Sequence, residues 1–396
     1  MSRIAFAWEL GNNQGLIEKM LPIAERLDAM GHEITLIVRD LNICTIKPPW
    51  RVLQAPLWLL ETQGLPEPPL NYSEMLLHFG YHDYQTLLPL VNGWQELFKL
   101  CKTDIVVASH APTALLTAKV MDLPSVVFST GFSLPPMQEP MPNMRPWLNV
   151  PPERLKSSDE FLLKSVNQVL AIFGKEPIPR VSSLLEVNKR YVCSYPELDY
   201  YLDRTDEEFF GPITGSGEAN VTTRLKKDIK TVFVYLKSDH RDFTQILEQL
   251  NAIGVNALVC TPNISQNLKK KYTSKTMIIS EKKFDIDILK RCDIAITYGG
   301  HGMVSALLNY KIPMLILPTH LEQFLLGLRL QELGVGIVVN SDAPPPSYEP
   351  LLQKLLNEPV FKENALKFAN EHPANNQQEQ VERIATEIAA LRKGKH

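Results

Sequence analysis

The sequence predicts an α/β protein: two Rossmann-like domains in tandem, each a doubly wound parallel sheet. Three observations carry this expectation. Short, almost wholly apolar runs alternate with stretches of helical period; the alternation lapses into proline-rich and polar segments near the middle; and it then restarts with the same βα order. A run that is apolar on nearly every residue is buried on both faces, as a parallel strand between two helical layers must be.

The elements follow in chain order. "RIAFAW" (3–8) is a short apolar strand ending in the Gly/Asn loop "ELGNNQG". The loop hands over to "LIEKMLPIAERLDAMGH", apolar at helical spacing and closed by Gly31 at the C′ position. "EITLIV" (33–38) is the next strand, and a βαβ unit of this kind makes the two strands parallel. The same unit recurs as "TDIVVAS" (103–109), "TALLTAKVMDLP" and "SVVFST" (125–130). Between about 131 and 200 the pattern breaks into the proline-rich "GFSLPPMQEPMPNMRPW" and the helical "SSDEFLLKSVNQVLAIFG", expected to close one face of the first domain. Residues 203–229 are polar and contain three glycines, which reads as a linker. After it come strand "TVFVYLK" (231–237), helix "DFTQILEQLNAIG", strands "NALVCT" and "TMIIS", helix "DIDILKRC", strand "DIAITY", helix "GMVSALLNYK", strand "PMLILP" and helix "EQFLLGLRLQELG". The expected domains are therefore 1–205 and 226–372, joined by 206–225 and followed by a C-terminal helical segment, 373–396.

Composition narrows the function classes. With 44% apolar and 21% charged residues in 396, the chain has the material for two cores. The net charge is −3 and no Lys/Arg cluster is long enough to track a phosphate backbone, so nucleic acid is not an expected partner. "LKKKY" (268–272) reads as a solvated helix end. Five scattered cysteines (Cys44, Cys101, Cys193, Cys260, Cys292) suit a reducing compartment and read as buried hydrophobes. The N-terminus enters a strand at once and no 18-residue apolar run exists, so the expectation is a cytoplasmic protein without a transmembrane segment.

"TYGGHGM" (297–303) places three glycines around a histidine between an apolar strand and a helix. Glycine backbone lets a ligand approach closely, and the first N–H groups of a helix point outward with the positive end of its dipole. A phosphate suits such a turn. The other reading is a tight βα turn whose glycines only supply positive φ.

The wider context carries a family resemblance. "CDIAITYGGHGMVSALLNYKIPMLILPTHLEQFLLGLRLQELGVG" resembles the donor-site signature of the family-1 nucleotide-sugar glycosyltransferases of the GT-B fold: glycine turn, helix, Pro-strand-Pro, an acidic residue followed by Gln, and a helix ending in G-x-G. "FAWELGNNQGLIEKMLPIAERLDAMGHEITLIVRDL" is similar to the family's opening, and "SHAPTALLTAKVMDLPSVVFSTGFSLPP" to its middle strand and acceptor-side loop. The resemblance implies a GT-B fold with the two domains facing an interdomain cleft, and a last helix, "NNQQEQVERIATEIAALRKG", packed back on the first domain. It implies a UDP- or dTDP-sugar donor, a small-molecule or lipophilic acceptor, inversion at the anomeric carbon, and no metal or cofactor. Gly299, Gly300, His301, Gly302 and Met303 would meet the leaving diphosphate, and Glu322 and Gln323 the donor sugar, the pair reading alternatively as helix caps. Gly15, Leu16 and Phe132 fall on the acceptor side.

The chain departs from the family where chemistry is expected. Leu16 stands where the catalytic base histidine belongs, Tyr298 at the diphosphate-contacting histidine, Met303 at the following Thr, and Ala306 at a carboxylate that often holds ribose. His110, at the end of the middle strand, is the candidate replacement base, its other reading being a satisfied core histidine. His301 lies inside the turn and can supply charge lost at Tyr298. His78 and His82 have i, i+4 spacing, a weak metal signal better read as a helix lining the acceptor side. Glu9 and Glu18 border the first glycine loop and read as solvated, Glu18 being close enough to substitute as a base. Two functions follow: an active glycosyltransferase, or a degenerate GT-B-like protein that binds a nucleotide or small molecule or supports a partner enzyme.

Overall fold

The computed structural model describes residues 1–11, 15–41, 49–202, 204, 207–214, 221, 225–340, 347–373 and 377–391. The chain divides into two units. Unit 1 comprises 1–195, 201–215 and 376–396, and unit 2 comprises 196–200 and 216–375.

Unit 1 is a six-stranded parallel sheet of β1 (Arg3–Ala7), β2 (Glu33–Val38), β3 (Arg51–Gln54), β4 (Ile105–Ala108), β5 (Ser125–Ser129) and β6 (Lys189–Val192), in the order β3-β2-β1-β4-β5-β6. Period-two alternation splits the buried residues between the faces. Ala5, Ala7, Val106, Ala108 and Val127 face one helical layer, while Ile4, Phe6, Trp8, Ile105, Val107, Val126 and Phe128 face the other. The helices of this unit are α1 (Gly15–Ala29), α2 (Tyr72–Leu76), α3 (Tyr84–Leu100), α4 (Pro112–Val120) and α5 (Pro152–Ile172), joined by a last one near the chain end.

Unit 2 repeats the design with β7 (Thr231–Tyr235), β8 (Asn256–Cys260), β9 (Met277–Ser280), β10 (Ile294–Thr297), β11 (Met314–Ile316) and β12 (Gly336–Val338), ordered β12-β11-β10-β7-β8-β9. Its helices are α6 (Phe243–Ile253), α7 (Gln266–Tyr272), α8 (Ile286–Leu289), α9 (His301–Asn309), α10 (Leu321–Glu332), α11 (Tyr348–Asn357) and α12 (Pro359–Glu371). The last helix, α13 (Gln377–Ala390), belongs to unit 1: its Val381, Ile384, Ala385 and Ile388 bury against Ile17, Met20 and Ile23 of α1, and Arg26 pairs with Glu382.

Strands β3, β6 and β12 escape the apolar-run reading. All three lie at sheet edges, where one side lacks a neighbouring strand, and they are only three or four residues long. "KRYV" even begins with two charges. Part of the polar stretch read as a linker is core, because Phe210 and Ile213 are buried in unit 1 and Phe209 bridges to Val192. Cys101, Cys193, Cys260 and Cys292 are free and buried; Cys44 lies outside the described residues. Among the described residues, no helix is long and apolar enough to cross a membrane.

Candidate active site

In an open parallel sheet the ligand crevice lies at the carboxyl ends of the strands where the strand order reverses. That point falls between β1 and β4 in unit 1 and between β7 and β10 in unit 2. Every site residue expected from the sequence lies in or beside loops leaving these edges.

In unit 2, β10 runs into Tyr298, Gly299 and Gly300, and α9 starts at His301. Gly300 is the N-cap, in extended backbone and without a side-chain cap. The first intrahelical bond of this end is Val304 N–H to the Gly300 carbonyl, 3.0 Å, so the amides of His301, Gly302 and Met303 find no partner inside the helix. The two glycines before them differ in role. Gly299 has φ +88°, and a Cβ there would stand 2.9 Å from a methyl of Ile316 and 3.3 Å from the Gln323 carbonyl. The tight-turn reading therefore holds for Gly299. Gly300 has φ −66°, and the nearest atoms to a Cβ there all belong to Tyr298, the closest at 3.0 Å. Its missing side chain leaves the mouth of the helix open.

Gln323 places the start of α10 beside this turn, its Cβ lying 3.5 Å from where a Gly299 Cβ would be. The structure thus brings Gly299 to Met303 and the Glu322-Gln323 pair together. Gln323 is 2% exposed, and its Oε1 accepts from Thr319 N–H (2.8 Å) and Thr319 Oγ1 (2.9 Å), so it also caps the entry to α10. Glu322 and His301 are half-buried. The Tyr298 ring packs 5.4 Å from Tyr235. His240, which the sequence did not single out, ties the β7 loop to the end of β11. Its Nδ1 accepts from Asp242 N–H (3.2 Å), so Nε2 carries the proton and donates to the Leu317 carbonyl (3.1 Å).

In unit 1, Leu16 and His110 converge on Gly11, and Phe132 packs against His110. A Cβ on Gly11 would lie 3.2 Å from Leu16 Cδ1 and 3.5 Å from His110 Nδ1, and Phe132 meets the His110 ring edge-on at 6.5 Å. Gly15 stands apart at the start of α1 with open space around it. His110 adopts φ +50°, a costly backbone for a residue with a Cβ, and its carbonyl accepts from Leu10 N–H (2.9 Å) and Glu9 N–H (3.4 Å). It is 8% exposed, and its buried Nε2 has no hydrogen-bond partner among the described residues. Burial, reinforced by the Arg39 charge, lowers its pKa to about 3, so the imidazole is neutral at ordinary pH.

Glu9 is the residue most misjudged by sequence. It is not solvated but 2% exposed, because the chain turns its carboxylate under the uncapped start of α4. Oε2 accepts from Thr113 N–H (2.9 Å) and Oε1 from Thr113 Oγ1 (2.5 Å), which leaves the Tyr81 hydroxyl to donate to Thr113 Oγ1 (3.0 Å). Burial raises the Glu9 pKa to about 7 against the pull of these donors and of Arg39. An acidic residue directly after an apolar strand at the order reversal was the available signal. Glu18 lies half-buried in the first turn of α1. His78 and His82 turn to different partners, His78 toward Glu67 (3.5 Å) and His82 toward the Leu77 carbonyl (3.2 Å), and so do not form a common ligand set.

The comparisons with known proteins agree with this geometry. Residues 285–388 match the model of the erythromycin biosynthesis protein CIII-like C-terminal domain. An uncharacterized UDP-glucosyltransferase, YdhE of Bacillus subtilis (strain 168), is 22% identical over 275 residues, 67% of this chain and 69% of that one. Among solved structures, the calicheamicin glycosyltransferase CalG4 superposes with TM-score 0.71 at 15% identity, and the kitacinnamycin glycosyltransferase with 0.70 at 16%, each over 98% of this chain and 99% of the other. VinC, solved in complex with dTDP, gives 0.63 at 16% identity over 97% and 99%. With two Rossmann sheets of identical strand order and a glycine turn opening α9, the chain has the GT-B fold of these glycosyltransferase structures, and its residues 285–388 are similar to the CIII-like C-terminal domain.

Proposed function

We propose that the protein is a metal-independent, inverting glycosyltransferase that moves a sugar from a UDP- or dTDP-sugar to a hydroxyl of a small-molecule acceptor. The observation that carries this reading is the uncapped N-terminus of α9 at the order reversal of unit 2, with Glu322 and Gln323 at the start of the next helix. Two structural neighbours, VinC and SsfS6, were solved with dTDP and thymidine diphosphate, which supports a diphosphate as occupant. The acceptor oxygen attacks the anomeric carbon from the face opposite the diphosphate. The carbon–oxygen bond to the β-phosphate breaks, its electron pair leaves on the phosphate, and the α9 amides meet the growing charge. His110 is the group on the acceptor side able to take the acceptor's proton.

A second reading, the degenerate GT-B-like binder, draws on Leu16 and on the burial that holds His110 neutral. A melting screen against UDP, dTDP and GDP, followed by donor turnover with an acceptor panel, separates the two. A nucleotide that raises the melting temperature and a sugar that is transferred support the enzyme; nucleotide binding without transfer or donor hydrolysis supports the binder; no nucleotide binding overturns the donor site.

A further inference from the structure

The leaving diphosphate needs more than a helix end. A macrodipole offers about half a positive charge, and Tyr298 brings none where the family resemblance expects a histidine. The chain places a full charge close by. β7 and β10 pair with Tyr235 beside Thr297, where both strands end, and Lys237 and Gly299 each follow two residues further on, at the same carboxyl edge of the sheet. Lys237 therefore lies in the loop leaving β7 at the order reversal, and β7 is the strand next to the one that runs into the open turn. It is exposed, and among the described residues its ammonium takes no ion pair and no hydrogen bond. Its charge is felt at the His320 imidazole at the head of α10, where Glu322 acts with the opposite sign. Neither Glu322 nor Asp239 lies within ion-pair distance of it. An unpaired ammonium beside an uncapped helix N-terminus puts two positive ends together, an arrangement that an anion between them relieves.

We propose that Lys237 is the cation that meets the donor's diphosphate, replacing in charge, from the loop after the neighbouring strand, the histidine lost at Tyr298. The inference rests on the donor-site reading above. Lysine is a compact point charge suited to phosphate oxygens. The electron pair of the broken anomeric bond settles on the β-phosphate beside it.

Titration calorimetry of the full chain with UDP, UMP and uridine, or the thymidine series if the melting screen selects it, tests the assignment. Lys237→Met is expected to weaken the diphosphate by about tenfold or more, the monophosphate less and the nucleoside not at all. Lys237→Arg is expected to restore most of the loss, and the salt dependence of diphosphate binding to be shallower in Lys237→Met than in wild type. If wild type binds the diphosphate and Lys237→Met binds it equally, or if the nucleoside weakens as much as the diphosphate, the role of Lys237 is overturned while the donor site stands. If wild type binds no nucleoside diphosphate, the donor site falls and this inference with it.

Discussion

Glu9 and His110 touch through their backbones and are pushed by burial in opposite directions, so their titrations act against each other. The Glu9 carboxyl, at about 7 in the fold against 4.5 in a free chain, holds a proton that the unfolded state releases; its contribution to stability falls as pH rises from about 4.5 to 7. The His110 imidazole, at about 3 against 6.5, refuses a proton that the unfolded state accepts, and its contribution falls as pH drops from about 6.5 toward 3. Where those windows overlap, from about pH 4.5 to 6.5, the two offset. In Glu9→Gln only the histidine remains, and stability from urea midpoints is expected to fall on acidification from pH 6.5 to 4.5 more steeply than wild type, by about 1.4 kcal/mol per pH unit. The same residue decides the chemistry. His110→Ala is expected to cut turnover by about 10²–10⁴-fold with nucleotide affinity unchanged. The wild-type rate is expected to show no histidine titration between pH 5 and 8, since that event is moved to about 3. If Leu16→His raises activity greatly while His110→Ala does nothing, His110 is structural and the protein is a weakened enzyme.

At the scale of an element, the β10–α9 turn assigns its two leading glycines different duties. Gly299→Ala forces a Cβ to 2.9 Å from Ile316 at φ +88°, and is expected to destabilise unit 2 by about 1–3 kcal/mol, read as a lowered melting temperature. Gly300→Val meets the Tyr298 ring first and is expected to fold, yet to abolish nucleotide binding by closing the helix mouth. Unchanged affinity in a folded Gly300→Val would place the ligand elsewhere. This element was legible because strand, glycine turn and helix are contiguous in the chain. The Glu9–Thr113–Tyr81 chain was not, since its members are 104 and 32 residues apart and meet only where α3 and α4 close one face of the sheet.

Across the whole molecule, the last described helix completes the first unit. Ile384 is fully buried among α1 side chains, and Ile384→Ala is expected to cost about 2–5 kcal/mol, measured as loss of stability in unit 1 with nucleotide binding by unit 2 retained. Because helix amides and side-chain cations are the proposed partners of the diphosphate, transfer is expected to survive EDTA. An α-linked donor is expected to yield a β-linked product by NMR. Strict dependence on Mg²⁺ or Mn²⁺, or retention of configuration, would remove the proposed mechanism.

The sequence by itself determined the two α/β halves, the direction of their central strands and the glycine turn at 297–303, because each depends on residues close together in the chain. Burial on both faces writes itself as an apolar run, and a helix start writes itself as the residues around one turn. Tertiary structure alone decided the rest. It turned Glu9 inward, brought Leu16 and His110 to Gly11 with Phe132 against His110, and added three short edge strands. A carboxylate after a strand reads the same whether it meets water or the N-terminus of a helix about a hundred residues away; only the packing that removes the water tells them apart.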